Sequence, residues 1–192
     1  LIINSGDSEN TTVFLKKLYQ GTNKDFTSIT ELLFSQSITA VGQNTLLTIT
    51  QKIHQDSPNN YKNNYILANL QALKGHYQQA FILMKPIIKK FPNWFLATRF
   101  YVELLLNTQK TKQAAAFLLK KHRKRPNDND ISYLYTKTLI EQKKYKSAKR
   151  LLYRLQKTKR YQQEAQLELA IIAQQEKNYK KAQKLLLELT AS

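Results

Sequence analysis

The chain has 192 residues, the length of one domain or a short repeat array. Its 31 Lys and Arg against 13 Asp and Glu give a formal net charge of +18, yet 42% hydrophobic residues exclude a disordered polycation and require a folded core. Only 4 Gly and 4 Pro argue against sheet-rich folds with many tight turns, and the lack of cysteine excludes disulfides, thiolate zinc sites, iron–sulfur clusters and thiol catalysis.

In chain order, Leu1 to Thr12 is polar after Ile3, with neither a basic n-region nor a sustained apolar h-region. This predicts that no signal peptide remains and that the first several residues are disordered. The chain opens on Leu1 and its one methionine is Met84, which predicts a processed chain or a fragment of a longer one. No run approaches the roughly 18 apolar residues of a membrane span, so a soluble protein is expected. Thr12 to Gln20 reads as a short capping helix with Gly21 to Lys24 as its exit.

Beyond it one period organises the sequence. Pro58, Pro92 and Pro126 lie 34 residues apart, each followed by Asn. Ala80, Ala114, Ala148 and Ala182 share that period, as do Tyr77, Tyr145 and Tyr179, with Thr111 filling the second copy. Bulky residues recur at Met84, Leu118, Leu152 and Leu186. Each copy reads as a helical hairpin: Tyr65 to Lys74 as helix A, Gly75 and His76 as the turn, Tyr77 to Phe91 as helix B, stopped by Pro92. One hairpin cannot bury its apolar stripe alone, whereas stacked neighbours can. Ser28 to Thr39, Ala40 to Asn44 and Thr45 to Gln55 read as the two helices and turn of a degenerate earlier copy, with Leu46 in the alanine position.

These columns resemble the tetratricopeptide repeat family, in the small residues of helix A (Ala68, Val102, Thr136, Ala170), the starts and small residues of helix B, and the terminal prolines. Two departures stand out. Asn64, Thr98, Ser132 and Gln166 occupy the position where the family prefers Trp, and Ile87, Lys121, Leu155 and Leu189 fill the second small position of helix B. The resemblance implies an all-α fold, a right-handed α-solenoid of stacked helix-turn-helix hairpins with about ten or eleven helices. The expected division is a tail and capping helix over 1–26, a degenerate repeat over 27–60, and repeats over 61–94, 95–128, 129–162 and 163–192.

Chemistry is sparse. His54, His76 and His122 lie in different repeats without metal-ligand spacing and read as surface or turn histidines. No HExxH, GxSxG or Walker A pattern occurs, and the acids are scattered. The expectation is a non-catalytic chain without metal, cofactor or small-molecule substrate.

In tetratricopeptide arrays helix A lines the concave face, so the resemblance implies a partner groove. Its lining would be Lys62, Tyr65 and Asn69, then Arg99, Glu103 and Leu106, then Tyr133, Lys137 and Ile140. Rings, Arg and Asn suit a protein or peptide segment, and Asn69, Arg99 and Lys137 echo part of the family's carboxylate clamp. The alternative is that Tyr65 and Tyr133 only pack between hairpins. Charge adds a second surface, because residues 95–192 hold 22 cations and 8 anions. Lys120, Lys121, Arg123, Lys124, Arg125, Lys146, Lys149, Arg150 and Arg154 read as a basic ridge, either merely solvated or facing an anionic membrane surface, an acidic protein or nucleic acid. Lys, Asn and Gln usage looks bacterial, and Tyr65 to Leu119 loosely resembles repeat modules of bacterial envelope-assembly factors, including those attached to periplasmic zinc metalloprotease-chaperones. A periplasmic or envelope scaffold is the expectation, the cytoplasm the alternative compartment. A nucleic-acid-binding repeat and an interaction domain cut from a larger enzyme are the alternative functions.

Overall fold

The computed structural model describes residues 2–22, 26, 28, 30 and 39–190. After a 3-10 turn at Ile2–Ser5 the helices are α1 (Ser8–Gln20), α2 (Ala40–Asp56), α3 (Tyr61–Leu73), α4 (Tyr77–Lys90), α5 (Phe95–Asn107), α6 (Thr111–Lys124), α7 (Asn129–Glu141), α8 (Tyr145–Leu155), α9 (Gln162–Gln175) and α10 (Tyr179–Thr190). Among the described residues there is no strand, and no helix is long and apolar enough to cross a membrane. The chain divides into two compact units, Leu1–Leu104 and Leu105–Ser192, with the boundary inside α5.

The repeating device is the turn between helices A and B. Gly75, Gln109, Lys143 and Lys177, spaced by the repeat, all have positive φ, from 56° to 78°. Each sits in a Schellman closure: the Gly75 and His76 amides bond to Ala72 and Gln71, and the same pair of bonds recurs at Gln109 and Lys110, Lys143 and Lys144, and Lys177 and Asn178. The second residue of each closure also starts the next helix. His76, Lys110 and Lys144 give their helices no side-chain cap, a lysine having no acceptor, whereas Asn178 in the same position accepts the Lys181 amide.

The return connections are tight turns. Asn60, Trp94 and Asp128 donate their amides to Ser57, Phe91 and Arg125, which puts each proline second in a four-residue turn, where its fixed φ is favoured. The last repeat has Arg160 in place of proline, and its turn closes one position earlier, from Tyr161 to Thr158. Helix A then starts from a capping carboxamide or carboxylate, with Asn60 accepting from Asn63 and Asp128 from Ile131.

Three boundaries differ from expectation, each through a capping side chain that extends a helix upstream. α1 begins at Ser8 because Asp7 accepts the Asn10 amide. α2 begins at Ala40 because Thr39 accepts from Gly42, so Ala40 to Asn44 is helix rather than turn. α3 begins at Tyr61 rather than Tyr65 behind Asn60. The opening residues are ordered too: Ile2–Ser5 forms its turn with Ile3 buried. The expected helix over Ser28 to Thr39 lies largely outside the described residues.

In the first unit α2 packs on α3 and α3 on α4; in the second α6 packs on α7, α7 on α8, α8 on α9 and α9 on α10. Ala80, Ala114 and Ala148 are fully buried, which is what lets hairpin backbones approach. Leu152 and Leu155 of α8, Leu169 and Ile172 of α9, and the Tyr161 ring form one core of the second unit.

Candidate partner-binding surface

The helix A positions divide into two kinds. In the first unit, Lys62 and Tyr65, expected in the groove, are only 6% and 4% exposed. The Lys62 ammonium donates to the Tyr19 and Gly21 carbonyls at the end of α1 and lies 5.5 Å from the centre of the Phe26 ring. Tyr65 packs among Phe26, Trp94 and Phe100, with centroids 6.1, 4.9 and 5.8 Å away. Both groove assignments are thus corrected: the N-terminal segment uses these side chains as a ledge, and a buried ammonium satisfied by a helix end is structural. Asn69 is half-buried, its carboxamide donating to the Tyr65 carbonyl one turn back. Arg99 and Glu103 pair along α5 at 3.6 Å with both side chains about half exposed.

In the second unit the helix A side chains remain accessible but are held. Tyr133 is half-buried and stacks on Tyr161 at 4.9 Å. Tyr161 in turn donates its hydroxyl to Asp130 at 2.6 Å. Burial and the bond to Asp130 hold the Tyr161 phenol well above its ordinary range, although Arg160 opposes them. Lys137 reaches from α7 to Glu168 on α9 at 2.5 Å. Partial burial would lower the Lys137 pKa, but the bond to Glu168 and its charge outweigh this and raise it. Ile140 on α7 and Leu106 on α5 are half-buried.

No protein-family model matches the chain, and no curated protein matches it. Solved structures do. MamA from Desulfovibrio magneticus RS-1 is 16% identical, with a TM-score of 0.64 over 88% of this chain and 93% of that one. YrrB, described as a TPR protein with an unusual peptide-binding site, is 15% identical, with a TM-score of 0.59 over 92% and 90%. TTC0263, a thermophilic TPR protein of Thermus thermophilus, is 13% identical, with a TM-score of 0.63 over 88% and 90%. The chain has the tetratricopeptide repeat fold.

In this tetratricopeptide array the four polar residues standing where the family prefers Trp are all buried. Asn64 accepts from His54 Nδ1 at 2.7 Å while donating to the Pro58 carbonyl, and Gln166 donates to the Leu185 carbonyl and Glu188. Ser132 gives its single proton to the Asp128 carbonyl, so its oxygen accepts from Arg154 at 2.7 Å and from His122 Nδ1 at 3.1 Å. His54 and His122 lie two repeats apart and do the same work, tying the end of one helix B to the next helix A. Both remain half-exposed but are tied by these bonds, whereas His76 is an exposed turn residue beside Gln71. Burial, then the charges of Arg154 and Arg150, pull the His122 pKa below its ordinary value.

The ridge is less uniform than its sequence implied. Lys120, Arg123, Lys124, Lys146 and Arg150 are exposed or half-exposed. Lys149 pairs with Glu176 at 2.8 Å, Arg125 with Asp128 at 3.3 Å, Arg154 serves Ser132, and Lys121 lies over the Phe117 ring at 5.1 Å. Sequence reasoning also missed Leu167, which is 45% exposed on α9 beside Glu168. It continues the 34-residue column of Tyr65, Arg99 and Tyr133, a signal that stopping at Ile140 left unread. Among the described residues no group of three His, Asp or Glu gathers as a metal site.

Proposed function

We propose that the chain is a non-catalytic scaffold whose helix A faces hold a protein or peptide segment. One observation carries this: in the second unit Tyr133 and Lys137 are pinned by Tyr161 and Glu168 while keeping substantial exposure, and Leu167 offers uncovered apolar area on the neighbouring helix. Aromatic and cationic groups fixed before binding lose little rotamer freedom when a partner arrives, which favours specific association. The fold shared with a peptide-binding relative supports the same reading. The exposed ridge cations act as an electrostatic guide for an acidic partner or anionic membrane surface, speeding encounter more than setting specificity. We take the compartment to be the bacterial periplasm or envelope, on sequence resemblance alone, and fractionation of native cells tests it.

The deciding experiment is affinity capture from native extract, followed by quantitative binding of the captured partner. Tyr133→Ala, and separately Leu167→Asp, should weaken binding about tenfold or more with the helical circular dichroism spectrum kept native; Tyr133→Ala should also lower the melting temperature, because its ring packs on Tyr161. Normal affinity in both variants would overturn the helix A assignment. Measured between low and moderate salt, the association rate should fall steeply, and a salt-independent rate would remove the ridge from the reading.

A further inference from the structure

Away from the exposed helix A positions, the first unit holds an aromatic cleft at the turn between α4 and α5. Phe26, Tyr61, Phe91 and Trp94 converge there around a cavity of about 400 Å³, with Lys90 and Asn93 also lining it. Tyr61 lies 4.2 Å from Phe91 and 5.7 Å from Trp94, and Phe26 is 5.9 Å from Trp94 on its other side. Phe26 and Tyr65 are buried behind, so the rings have a fixed backing, whereas Tyr61, Phe91 and Trp94 stay partly in solvent. The turn that places them is the Pro92 turn, closed by the Trp94 amide on the Phe91 carbonyl.

Charge decides what such a cleft takes. Aromatic faces alone attract cations, but here two of the four rings already have one nearby: the Lys90 ammonium lies 5.5 Å from the Phe91 ring centre, and that of Lys62, held by the Tyr19 and Gly21 carbonyls, lies 5.5 Å from Phe26. A second cation would be repelled. The described lining holds a lysine and no carboxylate, and Lys89 beside it is exposed or half-exposed. We infer that this cleft binds a peptide segment presenting an aromatic side chain flanked by carboxylates, with the ring seated against Tyr61, Phe91 and Trp94 and a carboxylate paired with Lys90. The volume suits one such side chain with adjoining backbone.

The chain carries its own reporter, since Trp94 is its single tryptophan. Titrating the full chain with acetyl-Ala-Glu-Phe-Glu-Ala-amide should change Trp94 emission saturably. A peptide with Ala for Phe, or with Lys for both Glu, should bind about tenfold more weakly or not at all. Lys90→Glu, a surface change that leaves the rings in place, should weaken the acidic peptide about tenfold and restore the lysine peptide. The inference is overturned by an emission unmoved by the acidic peptide, by equal responses to all three peptides, or by unchanged affinity in Lys90→Glu. Tyr133→Ala, in the other unit, should leave the titration intact, so the cleft and the helix A surface fail or stand separately; loss of the response in that variant would also overturn it.

Discussion

At the scale of single residues, the four turn positions are a natural experiment in backbone conformation. Gly75, Gln109, Lys143 and Lys177 share a left-handed backbone, but only the first lacks a Cβ. Gln109→Gly, Lys143→Gly and Lys177→Gly should therefore each stabilise by up to about 1 kcal/mol, the relief of left-handed strain being partly offset by the freer unfolded chain. Gly75→Ala should cost about 1 kcal/mol for conformation alone, because a Cβ there meets nothing within 4 Å. Urea unfolding midpoints of the four variants check the set. A second residue-scale prediction concerns His122, whose imidazole should titrate below 6.5 by NMR. Its folded pKa is depressed, so the stability it contributes is full above the unfolded value and fades as pH falls through the folded one. Arg154→Gln should raise the titration midpoint, and an unmoved midpoint would remove Arg154 from its causes.

Elements differ by where they stand in the array. Met84, Leu118 and Leu152 occupy one column and are fully buried, but Leu186 in the same column is 46% exposed. Leu152→Ala should cost about 3 kcal/mol by opening a cavity in the second unit, and Leu186→Ala less than about 1 kcal/mol. Denaturant melts of the two variants would show that column membership does not set energetic weight; equal losses would contradict this. The polar column shows the limit of reading elements from sequence. The spacing of Asn64, Ser132 and Gln166 marked them as departures from the family, yet only their neighbours in space, His54, His122 with Arg154, and Glu188, explain how buried polar groups are tolerated there.

For the whole molecule, period and hairpin order were legible because small residues, prolines and turn positions repeat at a spacing that only stacked hairpins use. The candidate site was legible only in part. Tyr133 and Lys137 are accessible, but a lysine and a tyrosine can equally serve as internal ledges, and nothing local to Lys62 or Tyr65 signalled that the end of α1 and Phe26 would cover them. The aromatic cleft draws on residues from Phe26 to Trp94, a convergence that periodicity does not contain. Alkaline titration tests the molecule as a unit, because burial raises the Tyr19 and Tyr161 phenols and the bond to Glu168 raises Lys137. Groups with raised folded pKa values contribute fully below the unfolded values near 10 and lose that contribution as pH climbs. The melting temperature should accordingly fall above about pH 10, and Tyr161→Phe should flatten that fall.

The exposure of α10 bears on the protein's lifetime. Ala182 is its one buried side chain among the described residues, while Tyr179 and Leu187 are more than half exposed and Lys180, Lys181 and Lys184 offer their side chains to solvent. Packed on α9 along one side and facing solvent on the other, such a helix opens more often than the unit it belongs to unfolds. Trypsin, offered cationic cleavage points throughout the chain, should trim this helix first, leaving a shortened core whose survival is governed by a slower, global event.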